Sequence, residues 1–220
     1  MPPPPLSGTS ATHPNAFARE RDARVRWLLG MHPVTAATLV SLGWFPSKNK
    51  ALRRLNRLVE KGGARLVGTV RRKIGRPEHV FCRWRPKVDQ LLHEVELTDL
   101  CLRLDAGRIL RGLKATDAAV RPDAEVLING RVYYLELDRA TTGSGKIERD
   151  RFRRYEGCPH LSLWVCPTEA RREALRARAE SVRHTALFAT LAEVMATPHG
   201  AVWLDFDGGR AALPREKPPA

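Results

Sequence analysis

The chain has 220 residues, 43% of them hydrophobic, enough for one large domain or two small ones. Its 38 Lys and Arg outweigh 24 Asp and Glu, a net charge of +14 that argues for polyanionic partners rather than for any fold. Nothing approaches the ~18 consecutive apolar residues of a membrane helix. Met1–Leu6 also lacks the basic-then-apolar order of a secretory leader.

Cys82, Cys101, Cys158 and Cys166 show no CxxC spacing and no flanking His pattern for zinc, so reduced and mostly buried thiols in a cytoplasmic protein are expected. No Gly-rich phosphate loop followed by Lys-Ser/Thr occurs, which argues against ATP hydrolysis. A Ser-His-Asp arrangement has no local support either.

In chain order, residues 1–15 are rich in Pro, Ser and Thr and are expected to be a disordered tail, as is the Pro- and charge-rich end from 213 to 220. Glu20 to Leu29 reads as a helix from the spacing of Val25, Leu28 and Leu29. Val34 to Leu42 reads as a second, short helix ending at Gly43. Ser47 follows Pro46 as an N-cap for a third helix reaching Lys61, stopped by Gly62-Gly63. On that helix Leu52, Leu55, Leu58 and Val59 form the apolar face, while Lys50, Arg53, Arg54 and Arg57 lie on another. Two strands follow, Arg65–Arg71 and His79–Arg83, joined by the basic loop Arg72–Pro77.

Three helices and a two-stranded ribbon is the order of a winged helix-turn-helix, assigned to residues 16–85. From Lys48 to Arg85 there are 13 Lys and Arg against two acids. The third helix is expected in a DNA groove and the ribbon loop on flanking phosphate, with Lys48, Lys50, Arg53, Arg54, Arg57, Arg72, Lys73 and Arg76 as the contacts. The alternatives are a solvated basic face, an RNA ligand, or a protein partner at the wing.

The second block, residues 86–212, alternates helix and strand. Pro86–Leu104 reads as a long helix, followed by a hairpin over 123–138. Then come a basic helix over Gly145–Glu156, a short apolar strand Leu161–Val165, a helix Glu169–Arg178 and a last strand over Ala201–Phe206. The fold class expected for the whole chain is α/β (α+β), with a mixed sheet flanked by helices in this block.

Within the hairpin, Asn129-Gly130 is the strongest short-range turn signal, because both central residues of a type I′ turn need positive φ. Pairing Ile128 with Arg131 and counting outward brings Asp123 opposite Glu136. Cβ atoms of opposed residues sit roughly 4.5–5.5 Å apart, where like charges repel. Asp138, two residues on, points the same way. Three carboxylates on one face call for a cation among them, and a divalent metal held by oxygen ligands is the economical answer. An account built on ion pairs makes Arg121, Arg139 or Arg149 the partners instead. Asp99 on the long helix is the chosen third ligand, with Glu94 and Glu96 as alternatives, unless a neighbouring arginine holds it. Asp205 and Asp207, flanking Phe206 before Gly208-Gly209, read as a strand end and turn.

Pro122-Asp123 and Glu136-Leu137-Asp138 on successive strands resemble the PD-(D/E)xK nuclease superfamily. In more detail, His93, Arg121–Ala124, Leu135–Thr141, Lys146 and Tyr155 resemble the replication-relaxation family of prokaryotic and plasmid proteins, over roughly residues 20–170. What the resemblance implies is a nucleoid- or plasmid-associated protein that nicks or cleaves double-stranded DNA with Mg2+ or Mn2+. Asp123 and Glu136 are then both metal ligands and catalytic groups. Asp138 stands where the superfamily usually carries its lysine. Either Lys146 reaches in from the next helix, or Asp138 is a further ligand, or the domain no longer cleaves. Arg139 and Arg149 could balance charge on the scissile phosphate. The partners expected are DNA and, for assembly, a second copy of the chain as a homodimer. The non-catalytic alternative is a DNA-binding regulator of replication or transcription.

Overall fold

The computed structural model describes residues 14–72, 76–106, 108–111, 120–139 and 145–213. These divide into two units, one ending at Asp99 and one beginning at Leu100. Both are mixed α/β, and no described helix is long and apolar enough to cross a membrane.

In the first unit α1 (Pro14–Met31) buries Val25, Leu28 and Leu29, the face expected from their spacing. The helix starts earlier than expected, taking in the end of the N-terminal tail segment. The stretch from Val34 is not purely helical. Val34–Thr35 forms β1, and Thr35 then caps α2 (Ala36–Ser41) through a reciprocal capping box with Thr38. Ser47 caps α3 (Lys48–Glu60) by accepting the Lys50 N–H. β2 (Arg65–Val70) and β3 (Glu78–Cys82) pair antiparallel, and β1 adds on the other side of β3, giving the order β1-β3-β2.

The long helix shortens to α4 (Leu91–Arg103), preceded by a 3-10 turn at Val88–Gln90. Its first nine residues belong to the first unit rather than to the second block. The reason is a small apolar cluster in which Leu91 and Val95 cover Val70 and Val80 of the ribbon.

The second unit is built on a seven-stranded sheet in the order β10-β9-β8-β7-β6-β5-β4. β4 (Arg108–Arg111), β5 (Ala124–Ile128) and β6 (Arg131–Leu137) run as an antiparallel meander. β6, β7 (Leu161–Cys166) and β8 (Ala186–Thr190) are parallel, joined through α5 (Gly145–Arg153) and α6 (Glu169–Arg176). After α7 (Leu191–Ala196), the short β9 (Trp203–Leu204) and β10 (Arg210–Ala211) close the far edge antiparallel. Strands β4, β8 and β10 and helix α7 are additions to the expected order. Leu213, assigned to a tail, is buried.

Residues of alternate parity cover the two sheet faces. Leu135, Leu137, Leu163 and Val165 lie on one, and Tyr134, Glu136, Trp164 and Phe188 on the other. The second set packs against Phe152 of α5 and Leu175 of α6. No disulfide joins the four cysteines; three are buried and Cys158 is half-buried.

Candidate functional site

The hairpin register is the one expected. Ile128 pairs with Arg131 and Ala124 with Leu135, and Asn129 (φ 50°) and Gly130 (φ 76°) supply the two positive φ angles. One step beyond the ladder, Asp123 accepts the Leu137 N–H at 2.8 Å on Oδ2, which pins it beside the end of β6. Asp123 and Glu136 line one small open cavity of about 100 Å³ with Val120, Arg121, Arg151, Arg154 and Tyr155.

Glu136 and Asp138 are both buried, at 3% and 5% exposure. Carboxylates withdrawn from water need charge partners, and here these come from helices. Arg151 on α5 donates to Glu136 Oε2, and the Tyr155 hydroxyl donates to Oε1. The other guanidinium nitrogen of Arg151 lies 3.9 Å from Asp138. Its carbon sits 4.8 Å from the ring centroid of the fully buried Trp164, which flanks Glu136 on the next strand. Arg171 of α6 grips Asp138 through two bonds, 2.7 Å from Nε and 3.1 Å from Nη2. It also donates to Glu148, whose second oxygen is taken by Arg178.

Burial first, and the charge of Asp123 second, push the Glu136 carboxyl up to about 7, against the opposing pull of Arg151 and Tyr155. The Tyr155 hydroxyl is raised above its ordinary value by burial and then by Glu136, so it remains a proton donor. Burial opposes the charge on Arg151, yet Glu136 and Asp123 outweigh it and its pKa is raised. The Cys166 thiol is pushed up to about 12 by burial and by Asp138, which keeps it protonated.

Asp123, Glu136 and Asp138 are therefore gathered around the end of β6. Lys146 is exposed on α5 and makes no ion pair with these acids among the described residues. The residue that reaches in from that helix is Arg151, five positions on. Asp99 is held inside the first unit, accepting from Thr38 at 2.8 Å and from Arg72 at 2.6 Å. Both of its oxygens are thus engaged within that unit. Glu94 and Glu96 lie on the same helix within the first unit. Of the arginines expected as ion-pair partners, Arg121 and Arg149 are exposed and Arg139 is half-buried, and Arg151 and Arg171 pair with Glu136 and Asp138.

The sequence does carry a signal for Arg151. Glu148, Arg151, Phe152 and Tyr155 stand at i, i+3, i+4 and i+7, one face of a helix, and that face is the one turned inward. Arg171 and Arg178 carry no comparable mark, because only the packing of α6 beside β7 brings them near β6.

Two carboxylates are the donor type that Mg2+ takes, with water and phosphate oxygens completing its shell. The arrangement does not fit that ion while both Glu136 oxygens are engaged by Arg151 and Tyr155. Among the described residues no three His, Cys, Asp or Glu side chains are grouped to hold a metal.

In the first unit, Lys50, Arg53 and Arg57 are exposed on α3 and make no ion pair among the described residues. Arg76 is also exposed. Three of the other expected contacts are engaged internally: Lys48 with Glu78, Arg54 with Asp22, and Arg72 with Asp99 and Glu78. Lys73 lies outside the described residues. Asp205 accepts the Gly209 N–H at 2.7 Å in a turn, and Asp207 pairs with Arg183. Comparisons of the chain with protein-family models, with curated proteins and with solved structures find no match.

Proposed function

We propose that the chain is a double-stranded-DNA-binding protein, with a winged helix-turn-helix first unit and a PD-(D/E)xK-like second unit, acting on plasmid or mobile-element DNA in replication or relaxation. The observation that carries this reading is the outer face of α3. Lys50, Arg53 and Arg57 recur at i, i+3 and i+7, exposed and unpaired among the described residues, while Ala51, Leu55 and Leu58 bury the opposite face. A cationic helix face backed by an apolar one, next to a two-stranded ribbon, suits a groove lined by phosphates. The net charge of +14 adds long-range attraction.

The test is fluorescence anisotropy of labelled duplex DNA across a salt series. The slope of log K against log salt should become shallower by about 3 in the Lys50→Ala/Arg53→Ala/Arg57→Ala variant, close to one for each phosphate no longer neutralised. Unchanged slope and affinity in that variant would remove α3 from the interface. Matched duplex RNA serves as competitor, and tighter binding of RNA would reassign the ligand.

Metal-dependent nicking is the second reading, favoured by the placement of Asp123 across from Glu136 at one cavity. It expects nicking of supercoiled plasmid with Mg2+ or Mn2+, lost in Asp123→Ala and in Glu136→Ala. Activity retained in both variants would dismiss these residues as the catalytic pair. Absence of nicking with either ion, beside intact DNA binding, would leave a non-catalytic regulator.

A further inference from the structure

The three carboxylates that the hairpin register gathers do have a cation among them, and it is a side chain. Arg151 donates to Glu136, stands 3.9 Å from Asp138 and feels the charge of Asp123. Its position is not that of a loose surface arginine. The guanidinium lies over the Trp164 ring, and the indole N–H of Trp164 is itself fixed on Ser162 at 2.9 Å. Tyr155, one helical turn after Arg151, takes the remaining Glu136 oxygen. Arg171, anchored by Asp138 and Glu148, closes the other side.

We propose that Arg151 is the built-in cation of this site and competes with any divalent ion for Glu136 and Asp138. An ion approaching these two carboxylates meets a guanidinium already bound and stacked. Entry therefore requires Arg151 to swing out towards the cavity it lines with Arg154 and Arg121. The same arrangement gives the unusual Asp138 a role. At the position where the resembling superfamily carries a lysine, an acid lets one arginine bridge two neighbours on β6. Arg151 belongs to the second unit alone, and its role does not rest on DNA binding by α3.

The experiment is Mn2+ binding to the full chain, followed by the electron paramagnetic resonance of the free ion, for wild type, Arg151→Gln, Arg151→Met and Arg151→Gln/Glu136→Gln. Removing the guanidinium leaves the buried Glu136 without its ionic partner, while Asp138 keeps Arg171. Mn2+ affinity is therefore expected to rise at least about tenfold in Arg151→Gln and to fall back in the double variant. Thermal melting is the companion measurement, because Mn2+ should stabilise Arg151→Gln far more than wild type. Arg151→Met keeps an apolar stem against Trp164 and is expected to behave alike should the glutamine fail to fold. Equal Mn2+ affinity in wild type and in either folded variant would overturn the proposal. So would wild-type binding that saturates at micromolar Mn2+ and disappears in Glu136→Gln. Duplex-DNA anisotropy on the same samples reports separately on α3, so failure of one reading is distinguishable from failure of the other.

Discussion

Glu136 concentrates the chemistry of the second unit because opposing influences meet on one carboxyl. Burial and the charge of Asp123 favour the protonated acid, whereas Arg151 and Tyr155 favour the carboxylate. The first pair wins, and the carboxyl titrates near 7 against an ordinary value of 4.5. Between those two values the folded chain holds a proton that the unfolded chain has released. The contribution of this group to stability is therefore present at low pH and declines as pH rises from about 4.5 to 7. Glu136→Gln carries no such proton. Its melting temperature should stay flatter than that of wild type across that window when both are followed by circular dichroism. A parallel decline in the two proteins would show that Glu136 titrates as an ordinary carboxyl. Glu136 itself can be singled out from the sequence, since its register with Asp123 depends only on a two-residue turn. The arginine that answers it is set apart from Arg149, Arg153 and Arg154 by the helical face it shares with Glu148, Phe152 and Tyr155, but packing decides that this face turns inward.

Helix α5 and the β5–β6 hairpin illustrate two kinds of local instruction. The hairpin is directed by backbone conformation, with Asn129 and Gly130 both in the left-handed region. A Cβ at Gly130 would meet nothing within 4 Å, so the cost of Gly130→Ala is conformational alone. About 1 kcal/mol of lost stability is expected in urea denaturation. A neutral result would mean that the register is held by the cross-strand pairs and not by the turn. Helix α5 is directed by amphipathicity of an unusual kind, since its buried face carries Glu148 and Arg151 beside Phe152. Ionic residues on an inner face read as solvated ones in a one-dimensional pattern, and only facing charges on β6 and α6 reverse that. Strand β4 leaves little trace in the sequence because Arg108–Arg111 sets two adjacent aliphatic residues between two arginines, with no period-2 alternation over its four positions. The short β9 and β10 offer even less signal, and their pairing is made by the preceding sheet edge.

Across the chain, the division between the two units falls within α4 and not at the loop before it. The strand pattern of the first block stops near Arg85, with Pro86 following, which is where the sequence suggests a boundary. Leu91 and Val95 nevertheless belong with Val70 and Val80 of the ribbon. Gly68 shows how closely they pack, since a Cβ there would come within 2.8 Å of the Leu91 side chain. A fragment covering residues 14–104 should accordingly melt cooperatively, and one covering residues 14–85 should lose several degrees or fail to fold. Each core aliphatic left uncovered forfeits roughly 1.5–3 kcal/mol of burial. Equal melting of the two fragments, measured by circular dichroism, would place the boundary back at the loop.

The amino-acid order alone specified the elements of period 2 or 3.6 that have a distinctive start or stop: α1, α3 with its Ser47 cap, the ribbon, the Asn129-Gly130 hairpin and strand β7. It also specified that three acids share one face of β6 and its neighbour, because strand parity and turn length are local rules. The identity of the cation among them was decided by packing. Arg151 and Arg171 arrive from two helices whose rotation and docking depend on how Phe152 and Leu175 pack against Trp164 and Phe188 of the sheet. The partners of Asp99 were decided in the same way, since Thr38 and Arg72 reach it only once the first unit is assembled. Local spacing dictates which side chains point together along one element, whereas charge compensation between elements is settled by whichever partner the folded core brings within hydrogen-bonding reach.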